Sequence, residues 1–256
     1  MDLEEKIKKA AEILAKAKHV VVFTGAGISA ESGIPTFRGN DGLWRRYDPE
    51  EVASIQGFKR NPKAFWNFAK ELLIKVEAEP NPAHYAIAEL EKLGLVKSVI
   101  TQNVDMLHQK AGSKRVLELH GSMELLDCLD CRETYSWDDV MDVLLRGEVP
   151  HCKKCGSPYV KPRVVLFGEA LPQRTLAEAM EEAKKCDVFM VVGSSLVVYP
   201  AAHLPYLARS MGAKMIIVNV EPTLADRIFD ITIYGKAGEV LPRIVEEVKR
   251  ILEVGE

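Results

Sequence analysis

Residues 20 to 39 read VVVFTGAGISAESGIPTFRG, and this stretch sets the frame for the rest of the chain. The β-branched run Val20 to Phe23 stops at Thr24 and gives way to Gly25, Ala26, Gly27 and Ser29. Glu31-Ser32-Gly33 follow, then Ile34-Pro35, Thr36 and Phe37-Arg38-Gly39. A buried strand ending in a glycine-paired turn is how an open α/β sheet admits a pyrophosphate. The glycines let the backbone approach, and the N–H groups that follow face the anion. Taken alone, Gly25-Ala26-Gly27 followed by Ala30 fits a nucleotide site and an ordinary strand–helix turn equally.

What comes after the turn departs from a hydride-transferring Rossmann unit, which runs a helix straight on and places an acidic strand end about 20 residues later. Here the helix is cut short by Pro35, which breaks the hydrogen-bond ladder and biases Ile34 away from the helical region. A polar flap with Arg38, Asp41, Trp44, Arg45 and Arg46 takes its place, and the next credible strand is Ser98 to Thr101. A loop this long in a compact domain is usually functional or mobile.

The chain has 256 residues, enough for one large core or a core plus a smaller module. Apolar content of 47%, charged content of 28% and a net charge of −3 describe an ordinary globular protein. They point away from nucleic acid or membrane binding as the main task. Leu3, Ile7, Ala10, Ala11 and Leu14 recur at helical spacing, as in a helix packed on a core rather than a secretion signal. No run approaches the roughly 18 apolar residues of a membrane span, so a cytosolic protein is expected.

Strands are expected at His19–Phe23, Ser98–Thr101, Val116–Leu119, Arg163–Phe167, Val188–Val192, Met215–Val220 and Ile231–Tyr234. Near-continuous Val/Ile/Leu/Met runs suit a parallel sheet covered on both faces. Between them, Asn81-Pro82 opens a helix to Leu93 that Gly94 closes. Asn61-Pro62 opens another, with Phe65, Trp66, Phe68, Ala69, Leu72, Leu73 and Val76 on a wide apolar face. The alternation argues an α/β fold with a doubly wound sheet.

Four of the five cysteines fall as Cys128-x-x-Cys131 and Cys152-x-x-Cys155. Two such knuckles close a four-sulfur zinc site with no open position, hence a structural one. Two disulfides, or four unrelated thiols, are the alternative, disfavoured in a cytosolic chain. A full cysteine set leaves the neighbouring His151 unneeded, and Cys186 reads as a packed thiol.

A third cluster, Thr101-Gln102-Asn103-Val104-Asp105-Met106-Leu107-His108, begins where a parallel strand ends. Open α/β sheets bind ligands at that edge. Its amides and carboxylate can bond a carboxamide and sugar hydroxyls, or Asn103 or Asp105 can simply cap a helix. His120-Gly121 ends another strand and converges on the same edge, whereas His108 is expected to face back into its helix.

These motifs together resemble the sirtuins, NAD-dependent protein-lysine deacylases. The matching residues are Gly25-Ala26-Gly27-x-Ser29 with Gly33-Ile34-Pro35-x-Phe37-Arg38-Gly39, then Thr101-Gln102-Asn103-x-Asp105-x-Leu107-His108, and His120-Gly121. The cysteine pairs, Phe167-Gly168-Glu169, Gly193-Ser194-Ser195 and Gly235-Lys236-Ala237-Gly238-Glu239 match in family order over nearly the whole chain. Ser194 departs from the family's usual Thr but keeps the hydroxyl.

The resemblance implies a single catalytic domain, 1–256, with a Rossmann-type lobe (1–38, 84–124 and 162–256), a helical flap module (39–83) and a zinc module (125–161). It implies NAD as cosubstrate and one structural zinc on Cys128, Cys131, Cys152 and Cys155. Gly25, Ala26, Gly27, Ser29 and Ala30 would hold the pyrophosphate, with Gly193, Ser194 and Ser195 opposite. Asn219, Val220 and Glu221 would take the adenosine ribose, and Ala237 would pack near the adenine. Thr36, Phe37, Arg38 and Trp44 belong to the flap, where Phe37 and Arg38 would cover the nicotinamide ribose. Gln102, Asn103, Val104 and Asp105 line the inner pocket, where Asn103 and Asp105 would fix the carboxamide. His120 would be the general base.

Val165, Phe167, Gly168 and Glu169 on one side, and Leu196, Val197 and Tyr199 on the other, would pair an acylated-lysine substrate as an extended strand. For Val165, Leu166 and Phe167, core packing is the plain alternative. The implied products are nicotinamide, O-acyl-ADP-ribose and free lysine. Nucleic-acid-associated proteins are among the expected substrates, and no membrane partner is. Succinyl-selective sirtuins resemble one another in a Tyr and an Arg on the helix after the flap, at positions that here hold Ala69 and Leu72. Neutral acyl groups are therefore expected. Three rivals are a dehydrogenase, a zinc-ribbon nucleic-acid binder using Lys153, Lys154, Lys161 and Arg163, and a mono-ADP-ribosyltransferase using NAD.

Overall fold

The computed structural model describes residues 1–73 and 77–254, with only the backbone of Leu73 and Val254. The Leu73 and Val76 side chains expected on an apolar helix face lie outside the described part. The strands are β1 (Val20–Thr24), β2 (Val96–Thr101), β3 (Val116–Glu118), β4 (Gly121–Cys128), β5 (Thr134–Tyr135), β6 (Val160–Val164), β7 (Val188–Val192), β8 (Lys214–Asn219) and β9 (Ile231–Tyr234). The helices are α1 (Leu3–Ala15), α2 (Pro49–Val52), α3 (Ile55–Arg60), α4 (Pro62–Leu73), α5 (Pro82–Lys92), α6 (Leu107–Lys110), α7 (Met141–Leu145), α8 (Gln173–Lys185), α9 (Leu204–Ser210) and α10 (Ala237–Val254).

Six strands form a parallel sheet in the order β3-β2-β1-β7-β8-β9. Counted among themselves, these strands run 3-2-1-4-5-6, the doubly wound Rossmann order, which reverses between β1 and β7. β1 shows why Val20 to Phe23 are all apolar: Val20 and Val22 pack into one layer with α1, α5 and α10. Val21 and Phe23 pack into the other with α8 and α9. Both faces are covered, so alternation disappears from the sequence.

Local signals set the helix ends. Asp2 and Glu5 form a capping box on α1. Asn81 caps α5, whose first residue is Pro82, and Gly94 follows its end at φ +79°. In α1, Ile7, Ala10, Ala11 and Leu14 are buried, but Leu3 is 42% exposed because the first turn overhangs the core.

A second, antiparallel sheet has the order β5-β4-β6. Here the structure corrects the sequence reading: the strand expected at Arg163–Phe167 lies at Val160–Val164 and belongs to this sheet, not to the parallel one. Pro162 marks it as an edge strand. Phe58, Phe65 and Trp66 of the helical module pack against Leu126, Tyr135 and the buried Cys128 and Cys152, making the two small modules one lobe.

Candidate active site and metal centre

The turn after β1 is a 3₁₀ helix, Ala26–Ser32, ended by Gly33 at φ +86°, ahead of the expected break at Pro35. Its glycines serve the chain itself first. A Cβ on Gly25 would lie 2.8 Å from the Gly193 carbonyl oxygen, and one on Gly27 would lie 2.8 Å from Gly193 Cα. The Gly25 and Gly27 N–H groups donate to the Val192 and Gly193 carbonyls rather than into the cleft. The glycines thus bring the ends of β1 and β7 together at the switch point.

Beside this contact opens a cleft of about 310 Å³, lined by Gly27, Ala30, Gly193, Asn219, Val220 and Ala237 together with Glu31, Val218, Gly235 and Lys236. Glu31 was not read from the sequence as a site residue. Its carboxylate accepts the Gly238 N–H at 2.7 Å and so occupies the first turn of α10. Glu221 sits across from Gly39 of the flap, and Asn219 Nδ2 donates to the Glu221 carbonyl. Ser195 is exposed, whereas Ser194 is buried and its Oγ accepts from Gln102 Nε2 at 2.9 Å.

The end of β2 supplies the inner part. Residues 102 to 106 are all half-buried, with Gln102, Asn103 and Asp105 as their polar members. Asn103 Nδ2 donates to the Gly25 carbonyl at 3.0 Å. Asp105 does two jobs: Oδ1 accepts the Leu107 N–H, as a helix start requires, and Oδ2 accepts from Ser29 Oγ at 2.6 Å. Val104 uses its carbonyl on the Met123 N–H. Ser29 is 1% exposed.

Behind Ser29 stands His84, which the sequence reading passed over. Its Nδ1 accepts the Asn81 N–H, so Nε2 carries the proton and faces Ser29 Oγ at 3.3 Å. Burial, opposed by Asp105, lowers its pKa to about 4. The signal was present in Asn81-Pro82-x-His84, a capping pattern with a histidine in the glutamate position. His108 is buried but does not face back into its helix: its Nε2 bonds Thr24 Oγ1 at the end of β1 at 2.8 Å, which in turn donates to Thr101 Oγ1. Burial, reinforced by His84, pulls its pKa to about 3.

His120 follows β3 at the same edge. Its Nδ1 lies 3.1 Å from the Gln102 carbonyl and can only donate there, which leaves the Nε2 lone pair free to accept a proton. Burial lowers the pKa of this imidazole, partly offset by the Gln102 bond, so it is neutral near pH 7. Gly121 behind it sits at φ +76°, and a Cβ there would meet the Arg163 carbonyl oxygen at 1.9 Å.

The flap is held by an aromatic stack: Phe37 on Trp44 with centroids 5.1 Å apart, and Trp44 on Phe68 at 5.7 Å. Phe167, whose backbone pairs with that of Ala53 and Ile55, approaches Trp44 at 6.2 Å. Thr36 Oγ1 donates to the Arg38 carbonyl, and the Arg38 side chain is exposed. Among the expected peptide contacts, Phe167, Val197 and Tyr199 are exposed and Leu196 is buried. Both backbone groups of Phe167 are engaged with Ala53 and Ile55, and the Val165 N–H is engaged with the His120 carbonyl. Glu169 accepts the Leu166 N–H and lies 3.3 Å from Lys161 Nζ, while Gly168 stands exposed between them.

The four cysteine sulfurs lie within 4.8 Å of one another, and all are free thiols. Sulfur pairs at 3.5 and 3.6 Å match the edge of a tetrahedron with zinc–sulfur bonds of 2.3 Å, about 3.8 Å. Each knuckle turns alike: the Arg132 and Gly156 N–H groups donate to the Cys128 and Cys152 carbonyls, with φ of 62° and 75°. The donor set fits a closed structural zinc, and exposed His151 is not part of it. The basic patch expected nearby dissolves: Lys161 is buried, Arg163 is bound to Asp127, and Lys153 and Lys154 pair with Asp139 and Glu133.

A family model described as "Sir2 family" matches residues 25–200. NAD-dependent protein deacylase 2 of Archaeoglobus fulgidus is 76% identical over 249 residues, 97% of this chain and 98% of its own length. The structure of a Sir2 enzyme bound to a myristoylated histone peptide superposes with a TM-score of 0.86 at 69% identity, covering 98% of this chain and 99% of that one. A Sir2 structure with a deacetylated p53 peptide and 3'-O-acetyl ADP ribose has a TM-score of 0.91 at 42% identity, covering 94% and 98%. The switch-point contact, the neutral His120 and the four-sulfur cluster thus sit on a chain that belongs to the Sir2 family.

Proposed function

We propose that this protein removes acyl groups from protein lysines at the expense of NAD, yielding nicotinamide, O-acyl-ADP-ribose and free lysine. The observation that carries the reading is a neutral imidazole with a free Nε2, His120, on the sheet edge that also holds the Gly25–Ser29 turn and the Asn103–Asp105 floor. NAD, when bound, supplies the electrophilic ribose carbon and the nicotinamide leaving group. Asn103 and Asp105 would orient the carboxamide, with Asp105 aimed by Ser29 and Leu107. Phe37 and Trp44 would exclude water from the ribose, and Asn219 and Glu221 would bind the adenosine ribose. His120 Nε2 would take a proton from a ribose hydroxyl while Nδ1–H stays on Gln102. The four cysteines would hold zinc as a brace for the small lobe.

The substrate would be an acylated lysine in an extended peptide laid between Gly168 and the exposed Val197 and Tyr199. The relative with a bound myristoylated histone peptide supports two finer points: tolerance of long neutral acyl chains, and nucleic-acid-associated proteins among the substrates. Free thiols arranged for a metal suit a reducing, cytosolic setting.

The test is to incubate the protein with NAD and an acetyl-lysine peptide and follow nicotinamide. Release that requires the acyl group is expected. Release onto protein acceptors without any acyl group would make it a mono-ADP-ribosyltransferase instead, and new NADH absorbance a dehydrogenase.

A further inference from the structure

Lys161 is a cation in the protein interior, 5% exposed on β6. A buried ammonium is tolerable only when paired and fully hydrogen-bonded. Its three donors meet three acceptors: the Pro162 carbonyl at 3.0 Å, the Val164 carbonyl at 2.7 Å and Glu169 Oε2 at 3.3 Å. The same Glu169 oxygen accepts the Leu166 N–H at 2.8 Å. The ammonium–carboxylate pair therefore gathers the carbonyl of residue 164 and the N–H of residue 166 on one side of the chain. The intervening Val165 N–H is left to donate to the His120 carbonyl at 2.8 Å. Next to that bond, Gly121 pairs with Val164 and closes onto the Arg163 carbonyl.

We propose that Lys161 is a positioning residue: through Glu169 and the Val164 carbonyl it sets the conformation of residues 164–169, and so aligns the peptide-pairing edge with the backbone of His120. The inference rests on the deacylase reading, because that reading makes this segment the peptide edge. A purely architectural lysine would instead support β6 and affect every property of the protein together.

The variants are Lys161→Met, Lys161→Arg and Lys161→Gln, each compared with wild type. The readouts are affinity for a fluorescent acetyl-lysine peptide, KM for peptide and for NAD, zinc content, and amide exchange over residues 164–169. Leaving buried carbonyls and a carboxylate unpaired in Lys161→Met should weaken peptide binding about tenfold or more. The Val165 and Leu166 amides should exchange faster, with zinc content and the KM for NAD unchanged. Lys161→Arg, which restores donors and charge, should recover most of the peptide affinity.

Peptide affinity within twofold of wild type in Lys161→Met overturns the proposal. So does parallel loss of peptide binding, NAD binding and zinc with no recovery in Lys161→Arg. If Lys161→Met does not fold, Lys161→Gln is read in its place: about threefold weaker peptide binding supports the strut, and unchanged binding sinks it. A wild type that binds the peptide but releases no nicotinamide would refute the deacylase reading and leave the affinity comparison valid. One that binds no acyl peptide would refute both.

Discussion

At the scale of single residues, histidines divide the labour by which nitrogen is left free. His120 spends Nδ1–H on the Gln102 carbonyl and leaves Nε2 free, whereas His84 and His108 face Ser29 and Thr24 with theirs. His120→Ala should therefore cost about 10²–10⁴-fold in kcat. It removes one hydrogen bond worth about 1 kcal/mol, so folding, NAD binding and peptide binding should survive. A collapsed melting transition in this variant would return the residue to a structural role. The folded pKa of His120 is depressed, so its base form persists below the ordinary value of about 6.5. The acid limb of kcat/KM should accordingly fall at a pH below 6.5.

The same sign applies to stability. Unfolded His84 and His108 protonate near pH 6.5, while the folded ones stay neutral down to about 4 and about 3. The unfolded state binds more protons in that window, so stability should decline as pH drops from 6.5 towards 4.5. The melting temperature of a His84→Gln/His108→Gln variant should show a shallower slope there. An unchanged slope would mean that other groups govern acid unfolding.

At the scale of elements, the zinc knuckles do more than close their own sheet. Cys128 and Cys152 share a core with Phe58, Phe65 and Trp66, so metal loss should loosen α3 and α4 along with β4–β6. Structural zinc supplies folding energy directly. Cys128→Ala or a strong chelator should release one zinc per chain and produce a separate low-temperature transition, with activity falling as a consequence. A metal-free chain melting like wild type would contradict this. Legibility in the sequence followed burial. β7 was readable to the residue because its run is apolar throughout, β9 because its Ile residues alternate with Thr232 and Tyr234 in a β-branched and aromatic run, and Asn81-Pro82 announced α5 with its own cap. β4 escaped because most of its residues are only half-buried and its pairing with β6 is irregular. β6 was read three residues late because Lys161 and Pro162 look like loop, and only the tertiary partners of that ammonium make it core. In the site, the cysteine cluster was legible from residue type and spacing, and the placement of the glycine turn and His120 from the strands they end, whereas their roles came only with the family resemblance. His84, Glu31 and Lys161 were not, since each acts through a residue distant in sequence.

At the scale of the whole molecule, the acyl group would enter where the two lobes meet, and the helix lining that junction decides its chemistry. Ala69 is buried in the cluster shared with the zinc sheet, and Leu72 packs with Phe37 and Trp44 under the flap. Neither can donate a hydrogen bond to a carboxylate. Two of the flap arginines are engaged elsewhere, Arg46 with Glu71 and Arg45 with the Asn40 carbonyl, while Arg38 is exposed. A dicarboxylic acyl chain would bring a charge against the aromatic cluster of Trp44, Phe68 and Phe167, whose rings offer no cation to offset its desolvation. Acetyl, butyryl and myristoyl groups bring only methylenes, which gain from burial. On one peptide carrying each group, kcat/KM for succinyl-lysine should therefore be at least about a hundredfold below that for acetyl-lysine. The myristoyl value should stay within reach of the acetyl one. A Leu72→Arg substitution, placing a guanidinium on that helix face, should raise the succinyl value relative to acetyl. Equal values for succinyl and acetyl in the wild type would show that Arg45 or Arg46 leaves its present partner and reaches the pocket.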